Sequence, residues 1–160
     1  MARAVTNREK IAVQEKPDQL RVASFSLLER GESTSVPLYL CRISAGFPSP
    51  ASDYVESNID LNDWLIGNKL ATYIVRVEGD SMMDEIHPED RLIIDRSLEP
   101  RHRDVVIACL DGEMLVKRLF IEEGRYFLVA ENPQYPAIEL NGNRELIIWG
   151  VATHSIHTLR

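Results

Sequence analysis

The segment from Thr72 to His154 constrains the fold most, because it reads as a series of short strands separated by turn residues. Apolar and polar residues alternate along these segments, as is typical of strands with one buried face. Asp111-Gly112, between two of them, is a typical hairpin turn. The predicted strands are Thr72–Glu78, Arg91–Asp95, Asp104–Leu110, Glu113–Phe120, Arg125–Ala130 and Leu146–His154. Six short strands and few helices predict a mainly β fold, a single curled antiparallel β domain.

The first 36 residues are weakly organised. Residues 18–30 fit an amphipathic helix and a strand equally well, and the pattern does not decide between them. Residues 31–35 are a polar linker, and the following segment, 38–43, is predicted to be extended. It leads to Ala45-Gly46 in a loop stiffened by prolines, a geometry that would present a peptide bond.

Two helix starts are predicted between this loop and the strands. Ser49-Pro50 combines a typical N-cap with a proline in the first turn, and that helix would run towards Tyr54 and Val55. Asp60 is a second N-cap, before a short apolar stretch that stops at Gly67-Asn68.

Length and charge limit the function. A chain of 160 residues, 44% hydrophobic, can bury one core of ordinary size. Residues 1–45 hold 7 Lys/Arg and 5 Asp/Glu (net +2), so the totals of 18 and 25 leave 11 and 20 (net −9) for residues 46–160. A body this acidic binds phosphates poorly. We therefore expect no direct sequence-specific DNA binding, and any nucleic acid to be reached through a partner.

Other features argue against membranes, disulfides and metals. No apolar run approaches the roughly 20 residues that span a bilayer, and the N-terminus lacks a secretion signal. Cys41 and Cys109 are far apart and are interpreted as structural thiols. We expect a cytoplasmic protein with no cofactor and no metal.

Ser81 is the candidate nucleophile. Gly79 permits a tight turn out of the preceding strand, so Ser81 falls at the mouth of a helical turn. Backbone N–H groups near Asp80, Ser81 and Met82 could stabilise an oxyanion there. The alternative is structural, because Ser81-Met82-Met83-Asp84 also fits a helix-capping pattern.

Lys117, 117 − 81 = 36 residues later, is the candidate base. Strand alternation puts it on one face with Leu115 and Leu119, and burial without a counter-charge would lower its pKa from ~10.4 towards the roughly 7–8 that a base needs near neutrality. The alternative is a lysine with a buried stem and a solvated ammonium.

Other catalytic sites fit less well. A Ser-His-Asp triad would need one of the four histidines beside Ser81, and no GxSxG elbow is present. Those histidines are His87, His102, His154 and His157. Gly79-Asp80-Ser81 resembles the GDS block of small esterases, but the D-x-x-H that such enzymes carry late in the chain is missing. The pair His154-x-x-His157 has no acidic or cysteine ligand nearby in sequence, so a metal site there is not favoured.

A family resemblance joins these motifs. From about Cys41 to the C-terminus the chain resembles the UmuD-like members of the LexA-type self-cleaving serine peptidases, peptidase family S24. The segments that carry the resemblance are Gly46–Glu56, Ile59–Asn62, Gly79–Met82, Asp104–Ala108, Asp111–Glu113 and Val116-Lys117. It implies that Ser81 is the nucleophile, Lys117 the general base, and Ala45-Gly46 the bond cut. The tail 1–45 would then be removed from a peptidase and dimerisation domain, 46–160.

The resemblance also implies partners. Proteins of this kind form homodimers, cleave themselves when bound to a RecA filament on single-stranded DNA, and then join a UmuC-type translesion polymerase in SOS mutagenesis. One alternative is a LexA-like or phage-type repressor, but residues 1–45 contain no convincing helix-turn-helix. Another is a non-catalytic dimeric binding module, which would leave the chain intact under all conditions.

Overall fold

The structure is a computed structural model that describes residues 19–27, 29–39, 55–140, 142 and 145–160. The described part forms strands and one short helix: β1 (Arg21–Leu27), β2 (Ser35–Tyr39), β3 (Val55–Asp60), α1 (Leu61–Leu65), β4 (Thr72–Glu78), β5 (Arg91–Asp95), β6 (Val105–Leu110), β7 (Glu113–Glu122), β8 (Arg125–Val129), β9 (Ile138–Leu140) and β10 (Leu146–Ile156). Within these ranges, no helix is both long and apolar enough to cross a membrane.

Eight of the strands form one sheet in the order β1-β4-β5-β10-β6-β7-β8-β9, with antiparallel neighbours. β1 also pairs with β7, where Arg21 lies opposite Leu115, so the sheet curls until strands from its two halves meet. β2 and β3 form a separate antiparallel pair. The prediction of a mainly β, curled antiparallel fold is confirmed.

The predicted strands agree closely with those observed. β4 and β5 have the predicted bounds, β7 and β10 are each longer by two residues, and β6 and β8 are each shorter by one. Asp111 and Gly112 both have positive φ values, 50° and 86°, which a two-residue type I′ hairpin requires at both central positions.

The segment left open between helix and strand is a strand. β1 pairs with β4 from Arg21 opposite Glu78 to Leu27 opposite Tyr73, with one register shift. The exposed edge of β4 satisfies the backbone groups of this segment, which outweighs a weak helical periodicity.

The helix predicted from Ser49 lies largely outside the described residues, and at Val55 the chain is already in β3. The second helix is confirmed as α1. The Asp60 side chain accepts a hydrogen bond from the Asn62 amide at 2.8 Å, and the helix ends at Ile66, just before Gly67.

Two apolar clusters form the core of the described part of the chain, and β7 contributes to both. Val116 belongs to the first cluster, with Leu20, Val77 and Met82 among its members. Leu115 and Leu119 belong to the second, with residues of β6, β8 and β10. Alternation along β7 therefore gives the middle of this strand buried side chains on both faces.

Candidate functional site

Ser81 lies in the turn that follows β4. Gly79 has a φ of 97°, a left-handed conformation that glycine adopts without steric cost, and it turns the chain away from the strand. The Ile86 amide donates to the Met82 carbonyl at 2.9 Å, and the Met82 side chain is fully buried in the first core cluster. These contacts fix the turn, and Ser81 within it is fully buried.

Lys117 approaches Ser81 from the middle of β7. The ammonium nitrogen Nζ lies 2.6 Å from Ser81 Oγ, and Lys117 is only 1% exposed. The structure therefore brings these two predicted residues into direct contact across 36 residues of sequence. The alternative in which Lys117 extends to solvent is wrong. Ser81 Oγ accepts hydrogen bonds from Lys117 Nζ and from the backbone amide of Leu20, the residue before β1, rather than acting as a helix cap.

Burial changes the proton affinity of the lysine. It lowers the pKa of Lys117 from 10.5 to about 8, against the opposing effect of the Asp80 carboxylate. The Tyr135 ring lies 5.2 Å from Nζ and is the aromatic neighbour on that side. A substantial fraction of Lys117 is therefore neutral just above neutral pH, a state in which an amine can accept a proton.

This lowered pKa predicts a pH-dependent stability. Between pH 8 and 10.5 the unfolded chain still binds the Lys117 proton and the folded chain has lost it, so the free energy of unfolding should rise with pH, by up to about 3 kcal/mol. Below pH 8 both states are protonated and the full cost of the buried charge remains. Both chains in the test carry Gly46→Pro, which blocks the expected cut, and one of them also carries Lys117→Met. Urea unfolding gives the free energy of unfolding of each chain, and the two values are compared at each pH. A difference between them that does not change from pH 8 to 10.5 would contradict the lowered pKa.

A turn after β8 holds the Ser81 loop in place, and sequence analysis missed it. The Asn132 amide donates to the Ser81 carbonyl at 3.0 Å, and the Asn132 side-chain nitrogen donates to the Asp80 carbonyl at 3.2 Å. The Tyr135 hydroxyl donates to the Asp80 carboxylate. In the sequence, Asn132-Pro133 indicates only a turn, because Asp80 and Ser81, which Asn132 contacts, lie about 50 residues away.

A segment of the N-terminal tail also reaches this site. The Leu20 amide donates to Ser81 Oγ at 3.0 Å, and the Leu20 carbonyl accepts from the Val116 amide at 3.1 Å. The Leu20 side chain is fully buried in the first core cluster. The Ser81-Lys117 contact is therefore adjoined by a residue that precedes the expected cut by about 25 positions.

Two other expectations concern the bond and the oxyanion. Ala45 and Gly46 lie outside the described residues, as does Cys41. The Met83 amide donates to the Asp80 carbonyl at 3.0 Å, so residues 80–82 form the start of the turn around Ser81. The oxyanion site near Asp80, Ser81 and Met82 stays a prediction.

The four histidines lie elsewhere. His102 Nδ1 accepts from the Ile121 amide at 3.0 Å, and the His154 ring packs against Trp64. His157 Nδ1 lies 2.6 Å from the carboxylate of Asp90, which is only 2% exposed. Ser81 is not among the hydrogen-bond partners of the histidines in the described residues. The structure therefore does not support a Ser-His-Asp site.

The pair His154 and His157 is not brought together as a metal site either. Among the described residues, His87, Asp90 and His157 do have ligand atoms within 4.8 Å of one another. Burial raises the pKa of Asp90, but hydrogen bonds from the His87 amide and His157, with the charge of His157, hold it below its usual value. The Ser155 hydroxyl also donates to this carboxylate at 3.3 Å. The cluster ties the end of β10 to the start of β5. Cys109 is a free, half-buried thiol.

Comparison with known proteins identifies the family. Residues 37–153, most of the chain, match the family described as Peptidase S24-like. The chain belongs to the peptidase S24 family. Protein MucA of Salmonella typhimurium is 44% identical over 124 residues, which cover 76% of this chain and 84% of MucA. Protein SamA of Salmonella typhimurium strain LT2 is 43% identical over 128 residues, 79% of this chain and 89% of SamA.

A LexA repressor, from Anaeromyxobacter sp., is a more distant S24 relative. It is 33% identical over 134 residues, which cover 82% of this chain but 58% of the repressor. The greater identity to MucA and SamA confirms the UmuD-like resemblance. The chain is a UmuD-like, self-cleaving S24 peptidase of the SOS response. Residues 1–36 precede the family match, so β1 lies outside it.

Proposed function

We propose that the chain cuts its own Ala45-Gly46 bond, with Ser81 as nucleophile and Lys117 as general base. The cut separates a tail, residues 1–45, from a peptidase and dimerisation domain, residues 46–160. The contact of 2.6 Å between Lys117 Nζ and Ser81 Oγ, in a setting closed to water, is the observation that carries the proposal. A base must lie within hydrogen-bond reach of the proton it takes, and this one does.

The proposed reaction has two stages, acylation of Ser81 and hydrolysis of the acyl-enzyme. Neutral Lys117 takes the Ser81 hydroxyl proton as Oγ attacks the Ala45 carbonyl carbon, and the oxyanion is stabilised by backbone N–H groups near Asp80, Ser81 and Met82. The C–N bond to Gly46 then breaks, and Lys117 returns the proton to the Gly46 amine. Water hydrolyses the acyl-enzyme, with Lys117 again as base, to give a carboxylate at Ala45.

Two features support this assignment over a purely structural role. The pKa of Lys117, lowered to about 8 by burial, matches the working range of a general base near neutrality. The hydrogen bonds from Asn132 to the carbonyls of Asp80 and Ser81 hold the backbone on both sides of Ser81, which would keep nearby N–H groups in place before the reaction. A non-catalytic module would need neither.

The family supports a proposal about partners. We propose that a RecA filament on single-stranded DNA stimulates the cut, and that the chain is a homodimer whose shortened form joins a UmuC-type translesion polymerase in the cytoplasm. The net charge of −9 over residues 46–160 supports contact with DNA through these partners rather than directly.

The test is cleavage at neutral pH with RecA, single-stranded DNA and a nucleoside triphosphate, followed by intact-mass spectrometry. We expect fragments 1–45 and 46–160, with slower cleavage when the single-stranded DNA is omitted. Fragment masses from a cut at another bond would contradict Ala45-Gly46 as the cleavage site. A cleavage rate that does not depend on RecA and DNA would contradict the RecA filament as a partner. The Ser81→Ala chain, treated identically, should stay intact.

A further inference from the structure

The segment from Leu20 to Leu27 is bound across the proposed active site as an extended peptide. β1 pairs with the edge of β4, and just before β1 begins, the Leu20 backbone is held at both its polar groups. Its N–H donates to Ser81 Oγ and its carbonyl accepts from the Val116 amide of β7. β4 and β7 thus form the walls of a peptide-binding track that ends at Ser81.

The Leu20 side chain fills a pocket at the end of this track. It is fully buried, in the same apolar cluster as Val77 of β4, Met82 beside Ser81, and Val116 of β7. Val77 and Met82 lie before and after Ser81 in the sequence, and Val116 directly precedes Lys117. The track therefore selects an extended peptide with an aliphatic side chain next to the Ser81 hydroxyl.

The hydrogen bond from the Leu20 N–H to Ser81 Oγ binds the peptide in a geometry that does not lead to its cleavage. A hydroxyl oxygen that accepts from a backbone N–H lies close to the plane of that amide, on its nitrogen side. Attack on a carbonyl carbon instead requires approach from above the amide plane. In addition, the N–H engages one of the two lone pairs of Oγ. The Gln19-Leu20 peptide bond is therefore held beside the serine in an unreactive orientation.

We propose that this strand is an inhibitor built into the uncut chain. β1, anchored by Leu20, occupies the track, and the segment carrying Ala45-Gly46 has to displace it before the bond can be cut. The inference rests on the proposed self-cleavage, because it names the regulation of the same site. One serine can hold only one of the two peptides at a time, and β1 lies in the 45-residue tail that the cut would release.

Side-chain size explains which peptide is bound in the resting state. A leucine side chain buries more apolar surface than the methyl group of Ala45 or the hydrogen of Gly46. β1 also adds a ladder of backbone hydrogen bonds to β4. The cut would place β1 on the released fragment, so self-cleavage would free the product from its own inhibitor.

The test is the rate of cleavage at alkaline pH, without any partner, in the full-length chain carrying Leu20→Ala. Loss of three carbon atoms from the pocket weakens the bound strand, so the fraction of chains open to the scissile segment rises. We expect cleavage roughly tenfold faster or more, and tenfold corresponds to about 1.4 kcal/mol of weakened binding. Leu20→Val should give an intermediate rate. Leu98→Ala makes the same chemical change on an exposed loop and should cleave at the native rate.

Amide hydrogen exchange measures the bound strand without relying on cleavage. In the uncleavable Ser81→Ala chain we expect residues 21–27 to exchange slowly, and to exchange fast when Leu20→Ala is added, while β6 and β7 stay protected. Fast exchange of residues 21–27 in the parent, or native cleavage rates in both Leu20 variants, would overturn the inference and leave the proposed function standing. A protected strand with no cleavage in any variant would overturn the proposed function, and the inhibitory role with it.

Discussion

Lys117→Met is expected to slow self-cleavage by roughly 10²- to 10⁴-fold, the contribution that a positioned general base makes. Methionine has a similar length and no titratable group, so it fills the space beside Ser81 but cannot take the hydroxyl proton. Because it also removes a buried charge, the variant should fold and be at least as stable as the native chain at neutral pH. Cleavage is followed by intact mass, and folding by thermal unfolding.

The matched control is Lys69→Met, at an exposed lysine before β4. It should cleave at the native rate. If Lys117→Met also cleaved at the native rate, Lys117 would not be the base, and its burial beside Ser81 would need another explanation.

The rate of partner-free cleavage is expected to rise about a hundredfold from pH 6 to pH 9, with the midpoint of the titration near pH 8. The reason is the fraction of Lys117 in the neutral form, which increases about tenfold per pH unit well below a pKa of about 8 and levels off above it. First-order rate constants at half-unit steps of pH give the profile. The direction is fixed: a lowered lysine pKa makes the base available on the alkaline side, so acid must slow the reaction.

One control variant sharpens this profile. If inhibition by β1 and proton transfer by Lys117 are independent, Leu20→Ala should raise the cleavage rate at every pH and leave the midpoint of the profile unchanged. A rate that is flat across this range, or that falls from pH 7 to pH 9, would contradict Lys117 as the titrating group.

Much of the fold was readable from local patterns. β4 and β5 combine alternating apolar residues with clear turn signals, and their bounds were predicted. β3 was missed because Val55–Asp60 is polar and its pairing with β2 depends on a tertiary contact. The choice between helix and strand for β1 was open for the same reason, since the edge of β4 that stabilises it lies about 50 residues away.

The candidate site was only partly predictable. The burial of Lys117 followed from strand alternation, and its contact with Ser81 was expected from the motifs and the resemblance. The hydrogen bonds from Asn132 and Tyr135 were not, because asparagine and tyrosine near prolines carry no chemical signal of their own. Leu20 is the clearest case: an ordinary leucine gains its role only because folding brings its amide to Ser81. Local sequence patterns describe elements, but contacts between distant residues decide the site.

The most direct test of self-cleavage by Ser81 and Lys117 is the intact mass of the purified native chain after incubation at alkaline pH, compared with the Ser81→Ala chain under the same conditions. We expect the native chain to yield fragments 1–45 and 46–160 and the Ser81→Ala chain to stay whole. A native chain that stays whole, or a Ser81→Ala chain that is cut at the same bond, would contradict self-cleavage by the Ser81-Lys117 pair.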